Sequence, residues 1–172
     1  MVTQTKSIYA RAFAYGVLGA FIMTVLLVLM RWSGLTQFNI SMFLGSMLTQ
    51  EFNPSTWVVG FIWHLLNGGI FGLVYAGVFK GIGNASAGRG TMLGFVHWLV
   101  FSAVLAFSAD VHPLIPSELA EPGFFAINYG VITAVGTLAL HLIFGYVVGN
   151  SLEGVIARNR RMERRYSTKS YA

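Results

Sequence analysis

The stretch WHLLNGGIFGLVYAG, residues 63 to 77, carries a small or polar residue at every fourth position. His64, Gly68, Gly72 and Ala76 share one face of a helix, because residues four apart lie one above the other. The remaining positions are almost all apolar. Small residues in this pattern let a second helix approach closely, so the stretch predicts a helix that packs against a neighbour along this face.

The composition extends this prediction to the whole chain. The 172 residues are 55% hydrophobic and only 10% charged, with a mean hydropathy of +0.66, whereas soluble domains carry about 25% charged residues. Four apolar segments approach or exceed the roughly 20 residues that cross a bilayer: 12–30, 57–79, 90–109 and 124–149. We therefore predict one all-α domain, residues 1–172, built as a polytopic bundle of four transmembrane helices.

The basic residues predict the orientation. Ten of the eleven lysines and arginines lie in the N-terminal segment, the 80–89 loop and the tail at 155–172, and only Arg31 lies in the other loops. Loops rich in lysine and arginine stay on the cytoplasmic side. We therefore expect a protein of the bacterial cytoplasmic membrane with both termini in the cytoplasm. Beside a membrane helix, basic residues favour anionic lipid over nucleic acid as the partner. The expected lipid contacts are Arg158, Arg160, Arg161, Arg164 and Arg165.

The second and fourth apolar segments carry the same motif. Residues 64–72, HLLNGGIFG, and 141–149, HLIFGYVVG, align as H-L-x-x-G-x-x-x-G with an offset of 77. Gly16 and Gly94 in the first and third segments are 78 apart. The near-constant offset predicts a duplicated helical hairpin in which His64 and His141 are equivalent. The predicted helix-packing residues are Gly68, Gly72, Ala76, Gly145 and Gly149.

The connection after the first segment contains a second helical pattern. Apolar residues from Ile40 to Leu48 follow helical spacing, with Ser41 as a candidate cap and Pro54 as the expected end. We predict a short amphipathic helix on the outer surface or tucked against the bundle.

Three segments together resemble a known type of protein. GLTQFNISMFLGSML (34–48), VGFIWHLLNGGIFGLVYAGVF (59–79) and GTLALHLIFGYVVG (136–149) are similar to an uncharacterised bacterial family of small four-helix membrane proteins. That family has histidine–glycine motifs in its second and fourth helices, and it tends to have proline where this chain has Thr36. The resemblance, which extends to about residue 154, implies a helical inner-membrane protein and no particular activity.

Four polar residues in the apolar segments are the candidates for chemistry. They are His64, His97, His141 and Asn67. An ionisable residue inside a membrane is a functional hypothesis by default, and a helix-to-helix hydrogen bond is the structural alternative. The histidines can therefore be packing residues, ligands or proton relays.

A haem b held by two histidines requires imidazoles at one depth on facing helices. The repeat pairs His64 with His141, whereas depth counted from the helix ends pairs His97 with His141, a disagreement of about 10 Å at the helical rise per residue. No clustered set of ligands predicts a metal site. The absence of cysteine excludes iron–sulfur clusters and thiol catalysis.

These patterns favour a protein without enzymatic activity. No intramembrane carboxylate is paired with a histidine, and no phosphate-binding loop is present. We expect a structural or accessory subunit that packs through its glycine-lined faces in a homo-oligomer or a larger membrane complex. The alternatives are a redox subunit that binds haem or metal, and a proton or small-solute pathway.

Overall fold

The computed structural model describes the backbone of residues 2–169 and the side chains of residues 8–162. The helices are joined by short connections apart from the long segment 108–130, and no strand occurs in that part of the chain. The five α-helices are α1 (Val2–Trp32), α2 (Ile40–Thr49), α3 (Pro54–Ile82), α4 (Ala87–Phe107) and α5 (Val131–Lys169). Four helical stretches are long and apolar enough to cross a membrane: Ile8–Trp32, Pro54–Ile82, Ala87–Asp110 and Val131–Met162. The prediction of an all-helical chain with four such helices is confirmed.

The last helix differs from its predicted bounds at both ends. It begins at Val131 rather than at 124, because positive φ angles at Gly123, Phe125, Ala126 and Gly130 interrupt the helical backbone before it. Residues Phe124–Tyr129 form a separate 3-10 turn instead. At the other end α5 continues to Lys169 through the predicted tail, since arginine is a good helix former and no proline intervenes.

The two predicted boundary residues of α2 are corrected. Asn39, not Ser41, caps the helix by accepting a hydrogen bond from the Met42 N–H at 3.1 Å. Pro54 does not end α2 but begins α3, where its missing N–H costs nothing. α2 ends earlier, where Gln50 adopts a left-handed conformation.

α2 packs tightly on the first turns of α3. A Cβ on Gly45 would overlap the Thr56 carbonyl, and one on Gly60 would overlap the Ser41 carbonyl. The helix is half buried by this contact, with Ile40, Ser41, Phe43, Gly45 and Ser46 enclosed.

The first glycine stripe is occupied by α1. A Cβ on Gly72 would overlap the Ala12 carbonyl, and one on Gly68 would meet Ala20 and the Gly16 carbonyl. Ala76 is fully buried. The stripe therefore lies inside the chain rather than on its surface.

The second stripe is occupied in the same way by α4. Gly145 lies against Gly90, and Gly149 lies against Gly90 and Ser86. The counterpart of Gly16 is therefore Gly90, one helical turn from the predicted Gly94, which meets the His141 carbonyl instead. The repeat thus aligns α3 with α5, but it misaligns α1 with α4 by four residues.

These contacts make two hairpin-like pairs, α1 with α3 and α4 with α5, joined mainly where α1 meets α5. α3 and α4 share no extended contact in the described part of the chain. At one end, which we call the basic end, Lys80 ends α3 and Arg89 begins α4, and the Arg160 side chain reaches back to the Gly83 carbonyl at 3.1 Å.

Candidate functional site

A cavity of about 280 Å³ lies between the helix pairs, in the half of the bundle away from the basic end. We call it the histidine cavity, because three of the four histidines of the chain line it. Asn67 is a further polar residue in its wall, and no lining residue carries a carboxylate, an ammonium or a guanidinium. Its apolar walls include Met23, Leu27, Phe38, Phe43, Phe101 and Leu105.

His64 reaches the cavity from α3, one turn beyond Gly68. Its Nδ1 lies 2.8 Å from the Thr24 hydroxyl oxygen, and that hydroxyl donates its own hydrogen to the Ala20 carbonyl at 2.9 Å. With the hydroxyl hydrogen on that carbonyl, the Thr24 oxygen accepts the Nδ1–H of the neutral imidazole. Nε2 is left as a hydrogen-bond acceptor.

His141 reaches the cavity from α5 with the same tautomer. Its Nδ1 lies 2.7 Å from the Thr137 carbonyl oxygen, which can only accept, so Nδ1 carries the hydrogen. Neither His64 nor His141 uses Nε2 in a hydrogen bond to the described residues, and neither Nε2 is among the fully enclosed unpartnered atoms. Both Nε2 lone pairs are therefore accessible from the cavity.

His97 packs within a cluster of aromatic rings. Its ring stacks on Phe71 with centroids 3.8 Å apart, and it meets His141 edge to face at 4.9 Å. The Tyr75 and Phe144 rings complete the surroundings at 6.2 and 5.4 Å. Its Nδ1 is enclosed without a hydrogen-bond partner, so this imidazole is held by ring packing.

The cavity opens sideways between α3 and α4. Val100 and Val104 line it on α4, yet they are 50% and 65% exposed. Met47 of α2 and Asn67 of α3 lie on the other side of this mouth, Met47 exposed and Asn67 half-buried. The opening follows from the lack of extended contact between α3 and α4, which meet where Phe71 stacks on His97.

The geometry disfavours one of the two predicted haem-binding pairs, His97 with His141. Two imidazoles on opposite sides of one metal, each with nitrogen at about 2.0 Å, hold their ring centres about 6 Å apart. The His97 and His141 rings touch at 4.9 Å and nearly at right angles, so they do not frame such a site. Among the described residues, no three histidine, aspartate or glutamate side chains form a group that could hold a metal ion. His64 and His141 remain as a pair with free Nε2 atoms.

His112, in the loop after α4, is a buried residue outside the four candidates. Its Nε2–H donates to the Phe43 carbonyl at 3.0 Å, and its Nδ1 accepts from the Leu114 N–H at 3.2 Å. Because Phe43 of α2 lines the histidine cavity, this contact fixes α2 over the cavity. A lone histidine in a proline-rich loop has no periodicity that would have revealed this contact.

The whole bundle matches a known protein family. A family model described as a family of unknown function matches residues 7–163. The chain belongs to DUF6789. The DUF6789 match covers all four apolar helices and every residue of the histidine cavity, and it confirms the expected membership of an uncharacterised family. No curated protein and no solved structure matches the chain.

The arginines predicted to contact lipid lie along the last turns of α5 in this DUF6789 chain. Arg158, Arg160 and Arg161 are exposed. Arg164 and Arg165 lie outside the described side chains.

Proposed function

We propose that this protein is a non-enzymatic integral membrane protein that binds a small lipophilic molecule, the guest, in the histidine cavity. The observation that carries the proposal is the pair of accessible Nε2 atoms, on His64 and His141, in a largely apolar chamber. Ligand sites are typically concave and apolar with a few placed polar groups.

The chemistry of the walls defines the guest. Each Nε2 accepts a hydrogen bond, so a complementary guest carries at least one hydroxyl or N–H donor. Aromatic rings from Phe71, Phe101 and Phe144 favour a flat apolar body. A guest of this type dissolves in lipid and enters through the lateral mouth at Val100 and Val104.

The charge distribution supports an orientation of the protein in its membrane. We assign the protein to a bacterial cytoplasmic membrane with the basic end and both termini inside, because Lys80, Arg89 and the arginines of α5 share that end. The histidine cavity then lies in the half of the bilayer that faces away from the cytoplasm.

Native mass spectrometry of protein extracted gently from its own membrane tests the proposal. We expect an organic guest on the wild type and on Leu99→Trp, an exposed position on the opposite face of the same helix that does not line the cavity. The guest should be lost from Val104→Trp, which fills the mouth, and from the double variant His64→Phe/His141→Phe. A wild type that never carries a guest, or a Val104→Trp variant that keeps it, contradicts the proposal.

A haem or metal bound through Nε2 of His64 and His141 is the second candidate. It is favoured by the anchoring of each Nδ1–H on a protein oxygen, since metal-binding histidines are usually oriented by such a bond. A Soret band or a metal found by elemental analysis, lost in His64→Phe, supports this candidate. A colourless, metal-free protein from the native membrane rejects it.

The predicted packing into an oligomer or a larger complex needs a different surface from the one expected. Because the two glycine stripes are occupied by α1 and α4, we propose that assembly uses Gly77 and Gly81 of α3, which face open space. Leucine at both positions should reduce the assembly seen by native mass spectrometry while leaving the fold intact. Unchanged assembly contradicts this assignment.

A proton or small-solute pathway through the histidines receives less support from the geometry. Beyond His97 towards the basic end, the ring contacts run through Tyr75 to Phe79 and Phe144, and Phe79 is fully buried. This hypothesis requires pH-driven flux in liposomes that disappears in His64→Ala.

A further inference from the structure

A second pocket, of about 270 Å³, lies at the basic end between the α3–α4 connection and α5. We call it the basic-end pocket. It is lined by Gly83, Asn84, Ala85, Glu153, Ala157, Arg160 and Arg161. It is separate from the histidine cavity and shares no residue with it.

The α5 wall of this pocket has opposite charges at its two ends. Glu153, Ala157, Arg160 and Arg161 follow helical spacing, so they share one face of α5. The small Ala157 side chain leaves the space between the carboxylate and the two guanidinium groups. A side chain as large as leucine at this position would fill it.

One arginine of the pocket is already fixed in place. Arg160 donates through Nη1 to the Gly83 carbonyl at 3.1 Å, and its guanidinium lies against the Gly83 backbone. Gly83 has a φ of 67° as the cap of α3, a conformation that favours glycine. The remaining guanidinium hydrogens of Arg160 are free to bind a ligand.

The other charges of the pocket are unpaired within the described chain. Neither the Glu153 carboxylate nor the Arg161 guanidinium makes an ion pair or side-chain hydrogen bond there, and the Asn84 amide is also free. A carboxylate and two guanidinium groups that share a pocket without pairing present separate negative and positive binding points.

We propose that the basic-end pocket binds a phosphate ester that carries a primary ammonium group, as in the headgroup of an aminophospholipid. The phosphate lies on Arg160 and Arg161, because guanidinium groups bind phosphate through paired hydrogen bonds. The ammonium lies on Glu153 at the other end of the pocket. A headgroup with only negative charge would leave Glu153 without a partner and facing a like charge.

The location of the pocket favours a lipid as the source of this group. The pocket lies where α3 ends at Ile82 and α4 begins at Ala87, beside the part of α5 in which charged residues begin at Glu153. The headgroup layer borders the ends of membrane-spanning helices. Soluble phosphoethanolamine carries the same charges and is therefore the control for the source.

Lipid binding to the delipidated protein in detergent, followed by native mass spectrometry, tests the proposal. The probes are phosphatidylethanolamine, phosphatidylcholine and phosphatidylglycerol with identical acyl chains. We expect phosphatidylethanolamine to bind about tenfold more tightly than the other two, a difference of roughly 1.4 kcal/mol. Equal binding of the three lipids, or a preference for phosphatidylglycerol, overturns the proposal.

Point variants test which residues contact the ammonium and which contact the phosphate of the headgroup. Glu153→Gln should abolish the preference for phosphatidylethanolamine while phosphatidylglycerol binds at least as well as before. Arg161→Gln should weaken both lipids, and Ala157→Leu should exclude them. Arg89→Gln, which removes an exposed arginine at the same end of the bundle but outside the pocket, is the matched control and should leave the preference unchanged.

Two further outcomes keep the test decisive. Soluble phosphoethanolamine that binds as tightly as the lipid overturns the lipid source. A Glu153→Gln protein that is folded by circular dichroism and retains the full preference overturns the role of the carboxylate. Neither outcome bears on the guest of the histidine cavity, which is scored on the same protein by its own mass.

Discussion

The two helix pairs of the bundle carry the same motif and use its histidine differently. In the first pair, His64 of α3 donates across the contact to the Thr24 side chain of α1. In the second pair, His141 of α5 donates to the backbone carbonyl of its own helix at Thr137.

The neighbouring helix explains the difference. Matching Gly16 with Gly90 places Trp98 at the position that corresponds to Thr24. The indole N–H of Trp98 can donate but not accept, and it donates to the Thr137 hydroxyl at 3.2 Å. His141 therefore turns to the nearest acceptor on its own helix. The glycine stripe sets how closely the helices approach, whereas the facing side chain sets the partner of the histidine.

Enlarging a stripe glycine should have the largest effect, and an equal one in both pairs. Gly72→Leu and Gly90→Leu each force a side chain into the backbone of the facing helix, which should destabilise the fold by about 3 kcal/mol or more. Thermal unfolding in detergent and size-exclusion chromatography measure the loss.

Two glycines outside the contacts provide matched controls. Gly88 and Gly154 have open space where a Cβ would be and lie outside the proposed assembly surface, so Gly88→Leu and Gly154→Leu should each cost less than about 0.5 kcal/mol. If one stripe variant unfolds like the wild type, the two pairs are not held together in the same way.

The histidine contacts should differ between the pairs by an intermediate amount. A double-mutant cycle of Thr24→Val with His64→Phe should give a coupling energy of about 1 kcal/mol, as expected for a side-chain hydrogen bond between membrane helices. The cycle of Thr137→Val with His141→Phe should give less than about 0.3 kcal/mol, because the His141 partner is a backbone atom. Equal coupling energies in the two cycles would contradict the proposed difference between a side-chain partner for His64 and a backbone partner for His141.

Removing the Trp98 hydrogen bond should have the smallest effect. Trp98→Phe keeps an aromatic ring against Phe125, with which the indole stacks at 4.6 Å, but it loses the donor to Thr137. We expect a loss of about 0.5 kcal/mol in reversible unfolding. Thr137→Val should cost a similar amount, and the double variant should cost no more than either one. Additive losses would show that the two side chains act independently.

The functional residues were predictable only as candidates. The apolar setting of His64, His97 and His141 marked each of them, since a polar side chain inside an apolar helix is rare. Their convergence on one cavity was not predictable, because the repeat and the depth count gave different pairings. The structure brings His97 and His141 into contact and adds His64 to the same chamber.

Other residues that shape the histidine cavity had no sequence pattern that revealed their role. Thr24 and Thr137 look like ordinary small residues in apolar helices, and their role depends on which helix they face. Phe43 of α2 lines the chamber because His112 fixes its carbonyl from a distant loop. Contacts of this kind join residues 40 and 69 positions apart, beyond the reach of a local pattern.

The sequence by itself determined the helical class, the four apolar spans and the faces along which helices approach. These properties follow from local composition and from the 3.6-residue period, which one segment expresses without its neighbours. Only the tertiary structure decided the register of α4 against α5, the hydrogen-bond partners of the histidines and the gap between α3 and α4. Those features depend on which side chains meet across helices, and a shift of one turn, about 5.4 Å, replaces every partner at a contact.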